Sequence, residues 1–279
     1  MSQKELAVIG TGMMGQAILS GLIQKEVFSP ASIVVSDPDG QKTGRLQSDW
    51  GVSVADSNPD AVAGAKIVLL AVKPQFLKSV MRVLKGKLSP ESLLISIITG
   101  VSVETLRDGL EHDAIIRVMP NTPAQTGDGI SGWYAAAEVT IQQKEQAAKI
   151  LSALGPAVLF EKESDLDIVT AVSGSGPAYV FLFIEAMVDA GVQMGLSRAV
   201  AQELVVQTVK GSAAYLEKRA AHPAVLRNEV TSPGGTTAEA LFFLEQGGLR
   251  STVARAMWAC YERSVALGEG QSHRKGPVS

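Results

Sequence analysis

Apolar positions in the first half of the chain come in short unbroken runs at residues 6–9, 33–35, 67–72, 93–98 and 115–119. They show little alternation, which is the pattern of strands buried on both faces of a parallel sheet. Between them lie stretches with helical spacing near 13–25, 40–50, 75–84 and 102–110. Strand and helix in turn imply βαβ units with right-handed crossovers. A later strand pair near 130–134 and 158–160, separated by a helix near 142–154, extends the same sheet.

The pattern changes after about residue 163. No further strand is expected, and residues 166–194 read as one long helix, apolar nearly all round. Such a helix has to be buried in a large core or against another subunit. Further helices are expected around the stripe Val200, Leu204, Val205, Val209 and over 237–245 and 250–267. The expected architecture is α/β: a Rossmann-type dinucleotide-binding domain over 1–162, then an all-helical substrate and dimerisation domain over 163–270. Residues 271–279 form a polar tail expected to be disordered. A helical domain this thin cannot bury its own apolar faces, so a homodimer is expected.

Composition narrows the function classes. The 279 residues carry 25 Lys and Arg against 28 Asp and Glu, a net charge of −3, which gives no basic face for nucleic acid. The single cysteine, Cys260, excludes an intramolecular disulfide and fits a reducing compartment; its flanks, Met257, Trp258 and Tyr261, suggest a thiol packed in a core. His112, His222 and His273 lack metal-ligand spacing. Neither a signal peptide nor a membrane span is expected, because the apolar stretch 178–187 is interrupted by Glu185. The expected location is cytoplasmic, with no membrane partner.

The strongest chemical signal is Gly10-Thr11-Gly12-Met13-Met14-Gly15, which follows the first strand and opens a helix. Gly10 permits the tight turn, Gly12 lets a pyrophosphate approach the backbone, and Gly15 lets helix and strand pack closely. The helix N-terminus offers unpaired N–H groups to phosphate. An ordinary glycine-rich turn is the plainer alternative, and it is disfavoured by the strand before and the helix after.

The second strand ends Ser36-Asp37-Pro38-Asp39. Asp37 lies about twenty residues past Gly15, where an acidic side chain binds the ribose hydroxyls of NAD. Alternatively Ser36 serves a phosphate and Asp37 turns outward before Pro38; the residues alone leave this open. Ala71-Val72-Lys73-Pro74 closes the third run on the edge where doubly wound sheets bind ligands, so Lys73 is a candidate for ribose or phosphate rather than a merely solvated lysine. Asn121 and Thr122, held between Pro120 and Pro123, either position a nicotinamide or form a rigid turn. Ser173-Gly174-Ser175-Gly176-Pro177-Ala178-Tyr179 interrupts an apolar helix, either for a ligand or for tight packing. Thr231-Ser232-Pro233-Gly234-Gly235-Thr236-Thr237 leads into a helix. It reads as an N-cap, or as a neutral cradle of hydroxyls and backbone for a small carboxylate.

Taken in order along residues 6–267, these motifs resemble the pyrroline-5-carboxylate reductase family, the most specific being Val230-Thr231-Ser232-Pro233-Gly234-Gly235-Thr236-Thr237. The resemblance implies reduction of 1-pyrroline-5-carboxylate to L-proline, the last step of proline biosynthesis. It implies NADPH (NADP) as the preferred cofactor, with NAD possible because Asp37 departs from the neutral or basic residue often found there. It further implies a homodimer or a ring of dimers. The residues implied at the cofactor are Gly10, Thr11, Gly12, Met13, Met14, Gly15, Ser36, Asn58, Ala71, Val72, Lys73 and Asn121, with Ser36 and Asn58 at the ribose and 2′-phosphate. Those implied at the substrate are Glu163, Ser232, Gly234, Gly235, Thr236 and Thr237, with the Thr237 hydroxyl as hydrogen-bond donor to the ring nitrogen. Glu229 stands where some members carry asparagine, and no contact is carried over to it. The nearest enzyme rival, a β-hydroxyacid dehydrogenase, usually places a lysine on the helix after a glycine-rich segment; residues 178–188 contain none. A non-enzymatic protein that kept the fold would be expected to lose the hydroxyl-glycine loop, which is intact.

Overall fold

A computed structural model describes residues 4–268. Its contacts divide the described chain into two compact units, one running through Ser175 and regaining the chain at Cys260, the other spanning Gly176–Ala259. The expected tail over 271–279 lies outside the described residues.

The first unit is built on an eight-stranded sheet in the order β3-β2-β1-β4-β5-β6-β7-β8. The strands are β1 (Leu6–Ile9), β2 (Ile33–Ser36), β3 (Ser53–Val54), β4 (Ile67–Leu70), β5 (Leu93–Ser96), β6 (Ile115–Met119), β7 (Ser131–Ala135) and β8 (Ala157–Leu159). Every residue of β1, β2, β4 and β5 is buried, which explains their unbroken apolar runs. Helices α1 (Met13–Gln24), α2 (Gly40–Trp50), α3 (Asn58–Val62), α4 (Pro74–Leu84), α5 (Val103–Leu110) and α6 (Ile141–Ser152) link the strands. Fully buried side chains such as Ile9, Leu19, Leu69 and Leu94 each contribute about 2 kcal/mol of transfer free energy to this core.

All pairings are parallel but one: β7 runs antiparallel to β6, with Met119 opposite Gly132. No helix long enough for a crossover separates them, only a 3-10 turn at Thr122–Thr126, so the chain doubles back. The chain order reverses between β1 and β4, and this opens a crevice at the carboxyl ends of those two strands.

The long helix expected over 166–194 is broken. Helix α7 (Asp165–Val169) passes into a π-helical turn at Thr170–Gly174, and α8 (Gly176–Gln193) starts afresh. A Cβ at Gly174 would meet the Met119 Cε methyl, the end of a flexible side chain on β6 that a larger residue would have to displace. Cys260 is half-buried rather than in the core, and its thiol donates to Ser175 Oγ at 3.2 Å.

The second unit contains α8, α9 (Arg198–Arg219), α10 (Pro223–Glu229), α11 (Thr236–Gln246) and the first part of α12 (Leu249–Gly268). Its buried cluster is only Val188, Ala201 and Val205. The two valines contribute about 2 kcal/mol each and the alanine methyl less than about 1, against about 1.5 kcal/mol of conformational entropy per ordered residue. Phe181, Leu182, Phe242, Phe243 and Trp258 remain more than half exposed. The apolar face of α8 is therefore real, but a single copy does not bury it.

Candidate active site

Two helices open in the same unusual way. Six of the described helices have a side-chain cap: Asp39 on α2, Ser57 on α3, Ser102 on α5, Thr140 on α6, Ser197 on α9 and His222 on α10. Helices α1 and α11 instead have glycine at the N-cap, Gly12 and Gly235, with no side-chain bond to the first amides. Their N–H groups and positive dipole ends are left for something else to satisfy.

At α1 the three glycines have different reasons. Gly10 has φ +96°, and a Cβ there would meet the Ala71 carbonyl oxygen at 2.8 Å and Val72 Cγ1 at 2.9 Å. A Cβ on Gly15 would overlap the Gly10 carbonyl, whereas one on Gly12 would have no neighbour within 4 Å. Gly10 and Gly15 hold the turn together; Gly12 faces open space. Thr11 between them is fully buried, its Oγ1 without a hydrogen-bond partner, while Met13 is largely exposed and Met14 half-buried. The turn lies at the sheet's switch point, where Gly10 N–H donates to the Ser36 carbonyl and Ala71 N–H to the Ile9 carbonyl. A closed turn, an open glycine and an orphaned buried hydroxyl are what a dinucleotide's pyrophosphate fits.

Beside it, Asp37 neither turns outward nor stands free. Its Oδ2 accepts the Thr11 amide at 2.7 Å and its Oδ1 the Asp39 amide at 3.0 Å. The buried Ser36 hydroxyl donates to Asn58 Oδ1 at 2.7 Å, so those two residues do meet at the end of β2. Further along the same edge, Lys73 is exposed at the N-cap of α4, following Ala71 and Val72. Asn121 is buried, and its Oδ1 accepts the Ile130 amide at 2.9 Å, which fixes the loop after β6. Thr122 begins the 3-10 turn and is exposed. An apolar hollow of about 470 Å³ adjoins β7, β8 and α7, lined by Gly132, Val158, Phe160, Ile168 and Val172 among others; of the candidate segments only the first residue of Ser173–Tyr179 lines it.

Glu163 is committed. Its Oε1 accepts from Arg117 Nη1 at 2.5 Å and from the Val103 amide, the first of α5, at 2.7 Å. Arg117, a charge inside the apolar strand β6, was the sequence signal for such a partner.

In the second unit, Gly234 has φ +68°, and the Gly235 amide donates to the Ser232 carbonyl at 3.0 Å. A Cβ on Gly235 would overlap Ser232 Oγ, so the turn is closed by necessity of glycine. Ser232, Gly234 and Thr236 are exposed and Thr237 half-buried, at the first turn of α11. Glu229 is tied up with Arg219 at 2.9 Å and Tyr215 at 3.3 Å.

Residues 163–267 match the family model described as pyrroline-5-carboxylate reductase dimerisation, and residues 5–100 match one described as NADP oxidoreductase coenzyme F420-dependent. The chain is 44% identical over 265 residues to a pyrroline-5-carboxylate reductase of Synechocystis, covering 95% of this chain and 98% of the relative. It is 42% identical over 270 residues to that of Pseudomonas aeruginosa, covering 96% and 98%. The crystal structure of Plasmodium falciparum pyrroline carboxylate reductase with NADP bound superposes with a TM-score of 0.88 at 34% identity, covering 96% of this chain and 99% of that one. The Coxiella burnetii pyrroline-5-carboxylate reductase gives 0.87 at 34%, covering 98% and 100%. With identity at this level along nearly the whole length, the chain belongs to the pyrroline-5-carboxylate reductase family.

Proposed function

We propose that this chain reduces 1-pyrroline-5-carboxylate to L-proline, with NADPH as its cofactor and NADH usable in its place. The observation that carries this reading is the full-length likeness to reductases of that name, which takes in both glycine-capped helix starts.

When bound, NADPH supplies the hydride for the imine carbon. Gly10, Thr11, Gly12, Met13, Met14 and Gly15 hold the pyrophosphate through the open end of α1. Ser36 and Asn58 serve the ribose and its 2′-phosphate, and Ala71, Val72, Lys73 and Asn121 line the remainder of the dinucleotide site. Ser232, Gly234, Gly235 and Thr236 take the substrate carboxylate at the open end of α11, where backbone amides and the dipole do the work of an arginine. Glu163, with Oε1 engaged, offers its second oxygen to the substrate site. Thr237 donates its hydroxyl to the ring nitrogen. An imine is more electrophilic when its nitrogen carries or shares a proton, so a neutral donor at that atom is sufficient.

The matched dimerisation region and the uncovered apolar face of α8 support a homodimer, which a ring of dimers would contain as its unit. The run Asp165–Gln193 is by length and composition apolar enough to cross a membrane, with 11% of its most apolar 18 residues buried. We assign its exposed face to a second copy, because it falls within the dimerisation match and carries Glu185 and Asp189. A cytoplasmic location accords with the lone thiol.

The test is consumption of NADPH and of NADH, followed separately with pyrroline-5-carboxylate and with its six-membered homologue. Turnover favouring the five-membered ring is expected; no turnover of either ring would overturn the reading.

A further inference from the structure

We propose that the last turns of α12 brace the clasp that holds Glu163, with Ser264 and Asp167 as positioning residues for reduction of the imino acid. The proposal rests on the place given to Glu163 at the substrate above, and every contact it uses lies within the first unit.

Glu163 is fixed from two sides. Its side chain takes the Val103 amide, at the end of the β5–α5 connection, and the Arg117 guanidinium of β6. Its backbone carbonyl accepts the Leu166 amide at 3.1 Å, so the direction of α7 sets where the residue stands. A helix of five residues has almost no stability of its own, because nucleation costs more than so few hydrogen bonds return. Its direction is therefore set by what pins it. Leu166 is buried in the core, and Ser264 supplies a directional pin. The buried Ser264 hydroxyl donates to Asp167 Oδ1 at 2.6 Å, the distance of a charge-assisted bond.

Ser264 does not act alone on α12. Cys260, four residues before it, donates to Ser175 Oγ at 3.2 Å, just past the π turn. Leu267, three residues after it, meets the other side of the clasp. A Cβ on Gly100 would lie 3.0 Å from Leu267 Cβ and 3.3 Å from the Gly268 nitrogen, so the connection leading to Val103 lies directly against the helix end. Spacings of four and three place Cys260, Ser264 and Leu267 on one face of α12. That face holds α7 and the β5–α5 connection at a fixed separation, and Glu163 spans the gap.

The experiment measures kcat and KM for pyrroline-5-carboxylate and, separately, the dissociation constant of NADPH, all on the full-length chain. Ser264→Ala suits a helix and leaves a half-buried Asp167 that can reach water, so the fold is expected to persist. Its kcat/KM for the imino acid should fall by about tenfold while NADPH affinity stays within about twofold. Asp167→Ala removes the same bond from its other end and should match it. Asp167→Asn, which still accepts from Ser264, should recover most of that loss. Glu163→Gln should lower kcat/KM by itself, and adding Ser264→Ala should cost little more, because the bond acts through a contact already lost. Additive losses, or a fall in NADPH affinity as large as that in kcat/KM, would overturn the proposal and leave Ser264 a packing residue. So would parental constants in both Ser264→Ala and Asp167→Ala. A Glu163→Gln variant with parental kcat/KM would withdraw Glu163 from the substrate and the brace with it, whereas a parent that reduces no imine would sink the assigned reaction as well.

Discussion

Arg117 of β6 and Glu163 ahead of α7 form an ion pair at 2.5 Å, and the same glutamate oxygen caps the first amide of α5 at Val103. The arginine side chain is only 10% exposed and the glutamate 27%. Removing one partner strands a charge in the sheet. Glu163→Leu is expected to destabilise the protein by about 3 kcal/mol, seen as a lower thermal midpoint. Adding Arg117→Met should restore most of that stability, because an apolar pair of similar size needs no desolvation. The double variant should nevertheless keep a raised KM for the imino acid if Glu163 also touches substrate. A double variant with normal KM would remove Glu163 from the substrate site.

The two glycines Gly10 and Gly12 should respond oppositely to the same added methyl. Gly10→Ala forces a β-carbon at φ +96° into the Ala71 carbonyl, so stability and nucleotide binding should both fall. Gly12→Ala meets nothing in the protein and has φ −68°, so the thermal midpoint should stay within about 2 °C. Its dissociation constant for NADPH should rise by about tenfold or more, because the methyl occupies the space meant for phosphate. Unaltered affinity in Gly12→Ala would show that the pyrophosphate lies elsewhere.

Thr237 sits in the first turn of α11, half-buried, with Gly235 rather than a hydroxyl at the N-cap. Thr237→Val preserves shape and removes the donor. A fall in kcat of about a hundredfold, with NADPH affinity unchanged, is expected. Thr237→Ser should retain most of the activity. Full kcat and kcat/KM in Thr237→Val would end its role as donor.

How far the sequence foretold this depends on where the physical signal lies. The glycine turn was legible because Gly10 and Gly15 have local reasons that no other residue satisfies. The strands buried on both faces announced themselves as apolar runs. Strand β3 did not: it is two residues long, both exposed. Helices α3 and α10 are too short for a period, and their prolines read as loop. The break at residues 174–176 was visible as glycine, but the π turn over Thr170–Gly174 left no mark in the spacing of apolar residues. The bond from Thr11 to Asp37 spans 26 residues and depends on the pairing of β1 with β2, so neither outward exposure nor a free ribose ligand described it.

Stability should depend on pH through His112, which is buried and shares Nε2 with the Ser92 carbonyl at 2.9 Å. Burial holds its pKa below the ordinary value of 6.5, outweighing the hydrogen bonds to the Ser92 and Ala114 backbone and the charge of Asp113. The folded state thus prefers neutral imidazole. Its contribution is complete above about pH 6.5 and is lost as pH falls through the lower, folded-state value. His112→Gln should flatten the denaturation midpoint over that window, and a slope equal to the parent's would assign the effect to other groups.

The last prediction concerns the apolar face that one copy leaves uncovered. Phe181 and Leu182 on α8 are 63% and 67% exposed, while the buried cluster of the second unit holds only three side chains. A unit so poorly filled gains most of its stability by association, and the loss of a buried aromatic costs about 3 kcal/mol. In detergent-free buffer at micromolar concentration the chain should sediment as a dimer or a larger closed assembly. Phe181→Asp should shift it towards monomer, with a lower thermal midpoint that rises with protein concentration. A parent chain that sediments as a monomer would leave the exposed face of α8 without an owner, and one that requires detergent would favour a lipid surface over a second copy.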